Sequence, residues 1–298
     1  MKQGSQLEIV RTPPRSPSQR WLAVAHLIGR VLLFTLAALF AIPLYLLVAI
    51  SLKSPSETSA NPFAPPLSPD FGNYVEAWQH SAGSGTASFG ASLLNSASIT
   101  ATSVVLLVLV GSLAGYYLGR RTSRFSRRVY LIFLAGITLP VQLAIIPLYT
   151  FFDSIGVLGN PVAVIAFYVG VLTPFSVFLF TGFVRSIPRE FDEAAQLDGC
   201  SWLQTFFRVI LPLLGPVVST VAILTSIAVW NDFFSQLVFL LGSGNETLPL
   251  TVFTFSGQYT SQYNLLTAGL VIAAIPIVLF YLALQKRIVN GFSTGVKG

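Results

Sequence analysis

Polar chemistry in this sequence gathers in two places. One is the segment RSIPREFDEAAQLDGCSWLQTFFRVILPLLGP from Arg185 to Pro216, in which Glu190, Asp192, Glu193 and Asp198 crowd together. The other is a set of polar residues within otherwise apolar stretches: Asn95, Gln142, Trp230, Asn231, Asp232 and Gln236. Amides and a carboxylate beside an aromatic face suit the hydroxyls and ring of a sugar. Structural uses compete with that role, because Asn95 or Gln142 can bond a neighbouring helix and Trp230, with Tyr149 and Trp78, can anchor at a membrane interface. Neither set is a catalytic constellation. A single Cys makes no internal disulfide and no thiolate metal cluster.

These residues must be positioned by elements that the composition already defines. Of 298 residues 53% are apolar, only 9% are charged, and the mean hydropathy is +0.73. Soluble domains carry about 25% charged residues, so this chain is not a soluble enzyme, and its richness in aromatics excludes disorder. About 20 helical residues cross a hydrocarbon core of about 30 Å. Six apolar stretches reach that length, from His26 to Ile50, Ala91 to Leu118, Val129 to Phe152, Pro161 to Val184, Leu213 to Trp230 and Leu265 to Leu284. The expected fold is all-α, a six-helix membrane domain over 26–284 between tails at 1–25 and 285–298. The first stretch is too long for a signal peptide.

Basic residues set the expected orientation. The N-terminal region, the segment after the second stretch, the segment after the fourth and the C-terminal tail hold every Lys and Arg except Lys53. The positive-inside rule then places both termini in the cytoplasm. The same distribution explains the net charge of +6 as a topology signal rather than a nucleic-acid surface. The first outer loop, 51–90, is rich in proline, contains a glycine-serine stretch from Ser81 to Gly85, and predicts one short helix around Asn73 to Trp78.

The inner loop 185–212 reads as two helices at an angle. Pro188 suits a first turn, and Glu190, Asp192 and Glu193 favour a helix N-terminus. Gly199 suits the left-handed residue at the helix end. Ser201 and Gln204 then form a capping box for a second helix that breaks at Pro212. Phe191, Ala194 and Ala195 share a face of small bulk. From the residues alone, that face either docks into another protein or rests on the bilayer or its own bundle.

Glu193-Ala194-Ala195, then Gly199, then Ile210-Leu211-Pro212 resemble the EAA motif of permease subunits of bacterial ATP-binding-cassette importers. Ser186-Ile187-Pro188 and Leu197-Asp198-Gly199 resemble the maltose-type carbohydrate branch. Phe71-Gly72-Asn73-Tyr74, Leu94-Asn95-Ser96, Leu139-Pro140, Ile146-Pro147-Leu148-Tyr149, Trp230-Asn231-Asp232-Phe233 and the tail from Gln285 follow in the same order. Gln236 departs from that pattern, which commonly has Pro there, and so does Thr181-Gly182.

The resemblance implies a multi-pass protein of the bacterial inner membrane. It also implies a coupling loop comprising Glu190, Glu193, Ala194, Ala195, Asp198, Gly199, Leu211 and Pro212. The implied partners are a second homologous permease, two copies of an ATPase subunit, an extracytoplasmic sugar-binding protein and membrane lipid. The chain would hold no cofactor of its own. ATP would be bound by the ATPase, in keeping with the absence of any Gly-Lys dipeptide and hence of a phosphate cradle of that type. The rival is an ion-coupled secondary transporter, and the uncharged middle of every span counts against it. A non-transporting scaffold would leave the loop unexplained. The glycines of the C-terminal tail, Gly291, Gly295 and Gly298, suggest a flexible segment.

Overall fold

The computed structural model describes residues 17–79, 87–254 and 262–295, among which lie fourteen α-helical segments and one π-helical turn. The glycine-serine stretch 81–85, Gly298 and the first sixteen residues lie outside the described residues. Four helices are long and apolar enough to cross a membrane: α1 (Pro17–Ser51), α4 (Phe89–Arg120), α7 (Pro161–Ser186) and α14 (Tyr263–Gly295). The third and fifth expected spans are not straight helices. The third is α5 (Arg124–Thr138) and α6 (Gln142–Ser154), meeting at 100°. Leu139 is extended (φ −75°, ψ 130°), the conformation a residue before proline prefers, and Pro140 lacks the donor to continue the ladder. Counting each bent pair as one span gives six.

Two boundaries differ from expectation. Helix α1 already begins at Pro17, ahead of the candidate span His26–Ser51 that starts where expected. Helix α14 continues to Gly295, so Gly291 and Gly295 lie within a helix rather than in a flexible tail. The segment between α1 and α4 contains α3 (Gly72–Gln79), close to the expected helix, and also α2 (Pro55–Ala60), which the sequence pattern did not predict. Ser54 caps α2 by accepting from the Glu57 N–H, and Pro55 stands in its first turn.

The bundle is organised around α4 and α7. Gly111, Gly115 and Gly119 recur at four-residue spacing on α4 and let α7 approach its backbone. A Cβ on Gly115 would stand 2.5 Å from the Phe180 Cβ, and one on Gly119 2.7 Å from Val184. Such small-residue stripes allow close packing where lipid supplies no hydrophobic drive between helices. Helix α1 packs on α14, and from Leu27 to Leu44 nearly all of its apolar side chains are exposed, as suits a lipid-facing surface.

Candidate functional site

The loop 185–212 folds as an elbow built on α8 (Glu190–Leu197) and α9 (Trp202–Thr205). Three carboxylates occupy the first turn of α8. At its end Gly199 takes φ +80°; the Cys200 N–H donates to the Ala195 carbonyl (2.9 Å) and the Gly199 N–H to that of Gln196 (3.0 Å). That is a Schellman closure, which needs a left-handed residue at this point. The capping box forms as expected, with the Ser201 N–H donating to Gln204 Oε1 (2.8 Å) and the Gln204 N–H to Ser201 Oγ (3.4 Å). The second helix does not stop at Pro212. A π-helical turn (Phe206–Ile210) leads into α10 (Leu211–Leu213), and the bend of 77° comes at Leu214, before α11 (Gly215–Asn231). Pro212 is tolerated because it stands in the first turn of α10, where its missing N–H costs little.

The faces of α8 are divided differently from the sequence expectation. Ala195 turns inward, but its companion is Asp192 rather than Phe191 and Ala194; both inward residues are more than nine-tenths buried. Asp192 accepts from the Tyr116 hydroxyl (2.5 Å) and pairs with Arg120 Nη2 (2.7 Å). Arg120 Nη1 also donates to the carbonyls of Val184 (3.0 Å) and Ile187 (2.8 Å) at the end of α7. The Tyr116 ring stacks on Trp202 at 5.2 Å, so α4 holds both arms of the elbow. Glu190, Phe191, Glu193, Ala194, Leu197 and Asp198 remain exposed, and Leu197 keeps 89% of its surface free. A cleft of about 650 Å³ opens beside this surface, lined by Arg120, Arg185, Arg189, Glu190 and Glu193 among others. The roles of Asp192, Arg120 and Tyr116 were not read from the sequence. The signal lay in the i, i+3 spacing of Asp192 and Ala195, and in an arginine closing a long apolar helix.

Of the six candidate pathway residues, the structure brings three together at one cavity, and a fourth, Gln236, is joined to its wall through Tyr168. Gln142, Asn231 and Asp232 line one cavity of about 350 Å³, with Tyr168 of α7 among its other walls. The Tyr168 hydroxyl donates to Asp232 Oδ2 (2.9 Å) and accepts from Gln236 Nε2 (3.0 Å). Thr247 Oγ1 donates to Gln236 Oε1, and Gln236 Nε2 reaches the Val229 carbonyl (3.1 Å). The network therefore joins α7, the end of α11, α12 (Phe234–Leu240) and the loop before α13 (Leu248–Phe253). Asn231 gives its amide to the Ile227 carbonyl one turn back (2.9 Å).

Asn95 and Trp230 lie elsewhere. Asn95 Nδ2 donates to the Glu246 carbonyl (3.1 Å) and ties α4 to the loop before α13. Trp230 is buried among Phe89, Leu248, Val252 and Leu265, with its indole N–H toward the Ala273 carbonyl (3.4 Å). It borders apolar cavities of about 440 and 500 Å³ on the α14 side of α11, and neither contains Gln142 or Asp232.

Residues 107–293 match the family described as binding-protein-dependent transport system inner membrane component. The chain is 34% identical over 259 residues to the melibiose/raffinose/stachyose import permease protein MelC of Bacillus subtilis (strain 168), covering 86% of this chain and 91% of that protein. It is 33% identical over 260 residues to the probable starch degradation products transport system permease protein AmyC of Thermoanaerobacterium thermosulfurigenes, covering 87% of this chain and 92% of that protein. Among solved structures, its fold matches a chain from the crystal structure of a bacterial ABC transporter involved in the import of the acidic polysaccharide alginate. The TM-score is 0.77 at 22% identity, over 92% of this chain and 99% of that one.

Proposed function

Since the chain belongs to the binding-protein-dependent transport system inner membrane components and is a permease subunit of an ABC importer, a multi-pass transport component rather than an enzyme, we propose that it forms, with a second homologous permease, the pathway for a saccharide across the bacterial inner membrane. An extracytoplasmic binding protein delivers the cargo, and two copies of an ATPase drive the cycle from the cytoplasmic side, where both termini lie. The chain holds no cofactor, and ATP binds to the ATPase. This membership removes the ground for ion-coupled transport.

One observation carries the coupling role. The elbow is anchored inward by Asp192 and Ala195, while Glu190, Phe191, Glu193, Ala194 and Leu197 form a free surface facing away from the bundle. Two exposed carboxylates around small and apolar side chains suit a groove that offers a cation and room for close approach. Ala194 contributes no bulk, and Gly199 fixes the angle at which the two arms leave the groove. Leu211 and Pro212 lie beyond the π-helical turn, on the way to the bend at Leu214. On the opposite side Gln142, Asn231 and Asp232 offer amide and carboxylate groups to the hydroxyls of a neutral sugar. The saccharide class rests on relatives named for melibiose, raffinose, stachyose and starch degradation products.

The test is reconstitution of the complete transporter in liposomes. Glu193→Lys should lower ATP-driven uptake at least about tenfold, by opposing the charge of the ATPase groove, while the chain still inserts. Wild-type uptake by this variant would overturn the coupling role. Accumulation of solute against a gradient by the chain alone would overturn the function.

A further inference from the structure

Helix α8 has eight residues, too few for independent stability, and is joined to α7 through Ile187, Pro188 and Arg189 and to α9 through the Gly199 turn. A short helix held only at its ends would swivel when pushed. The ion pair prevents this from the side. Arg120 engages α8 through Asp192 and the last turn of α7 through Val184 and Ile187, and its own carbonyl accepts from Arg189 Nη2 (3.3 Å). Three helix ends therefore meet on one guanidinium, whose planar fork can hold several acceptors at fixed angles. A second route runs through the π-helical turn, whose Phe206 and Ile210 share one buried cluster with Tyr116, Phe180 and Val184, and then through the 77° bend at Leu214. Apolar packing of that kind is non-directional and does not fix the orientation of α8 as the ion pair does.

We propose that Asp192 is a positioning residue for coupling. It fastens the docking helix through Arg120 to α4 and α7, which the glycine stripe already locks together, so that a displacement imposed on α8 moves all three as one body. Helix α7 carries Tyr168 at the cavity wall, eighteen residues or about 27 Å from Ser186, so the same lever reaches the solute pathway. A buried ion pair suits this task because its worth lies in fixed orientation more than in net stability, and removing one partner leaves the other charge uncompensated.

The proposal rests on the docking of the ATPase at α8, and its test separates the two. In the reconstituted transporter, with partner permease, ATPase and binding protein present, Asp192→Asn should keep the ATPase bound and hydrolysing. Uptake per ATP should fall about tenfold, whereas Asp192→Glu should restore most of it. A nitroxide on Cys200, the one cysteine of the chain, should become more mobile in Asp192→Asn than in the wild type. If Asp192→Asn fails to accumulate in membranes, Arg120→Lys decides, since it keeps the charge and loses the fork; uptake per ATP should fall as far. Unchanged uptake per ATP, or unchanged Cys200 mobility, overturns the anchor. If Glu193→Lys meanwhile impairs coupling, docking stands without the anchor; if Glu193→Lys also transports normally, docking falls with it.

Discussion

The two polar networks of this bundle are made of different chemistry. At the elbow a full ion pair is surrounded by backbone carbonyls and a tyrosine hydroxyl, and three helix ends converge on it. Near the other end of α7 the Tyr168 hydroxyl, the Asp232 carboxylate, the Gln236 amide and the Thr247 hydroxyl form a chain without a cation, beside a cavity. Hydrogen bonds of the second kind cost little to exchange, because a water molecule or a sugar hydroxyl can replace each partner. A buried ion pair has no such substitute. Under the proposed coupling role the difference implies a division of labour: the elbow would transmit displacement and stay rigid, whereas the cavity network would open to let solute past.

The elbow network spans the contact between α4 and α7, and α7 also carries Tyr168 of the cavity network, so breaking that contact should have the largest effect. Gly115→Leu drives a side chain into Phe180 and the Thr181 backbone, where even a Cβ meets atoms at 2.5 and 3.0 Å. The expected loss is on the order of 3 kcal/mol or more, enough to abolish a monodisperse protein in size-exclusion chromatography. A well-behaved Gly115→Leu protein would show that α4 and α7 are not the rigid frame. The next test separates position from strain. Gly199 and Gly156 both lie at positive φ, +80° and +70°, and at each the space a Cβ would take is open to 4 Å, so an alanine meets only backbone cost in both. Each substitution should destabilise by about 1–2 kcal/mol in thermal unfolding. Only Gly199→Ala should also lower uptake per ATP, by about fivefold, because only that turn sets the elbow. Equal effects on transport would mean that strain alone matters.

The sequence made the long helices and the elbow legible because their signals are local. Length and hydropathy define α1, α4, α7 and α14, and Pro188, Gly199, Ser201 and Gln204 punctuate the loop where the structure turns. What stayed hidden depends on partners far along the chain. Asp192 reads as one more carboxylate in an acidic first turn until Arg120, 72 residues earlier, is seen beside it. Trp230, Asn231 and Asp232 are consecutive, yet the helix ends between them: Asp232 is already extended (φ −70°, ψ 123°) and faces the cavity with Tyr168, while Trp230 is packed toward α14. Leu139-Pro140 stood in plain view, but a proline within an apolar run kinks some spans and breaks others, and only the packing of α5 against α7 and of α6 against α12 resolves which.

The smallest effect should come from a single oxygen atom. Tyr168→Phe keeps the ring at the cavity wall and removes the hydroxyl that links Asp232 to Gln236. Both partners retain another bond, Asp232 from the Ser235 N–H (3.4 Å) and Gln236 to the Val229 carbonyl (3.1 Å), so no group is stranded. The cost should be about 1 kcal/mol, an ordinary hydrogen bond, and uptake should change by no more than about fivefold with the ratio of solute to ATP intact. Direct comparison with Asp192→Asn then decides whether the two networks differ in kind. If Tyr168→Phe lowers uptake per ATP as severely as loss of the ion pair, the cavity network is part of the transmission and the division between a rigid elbow and an exchangeable gate fails.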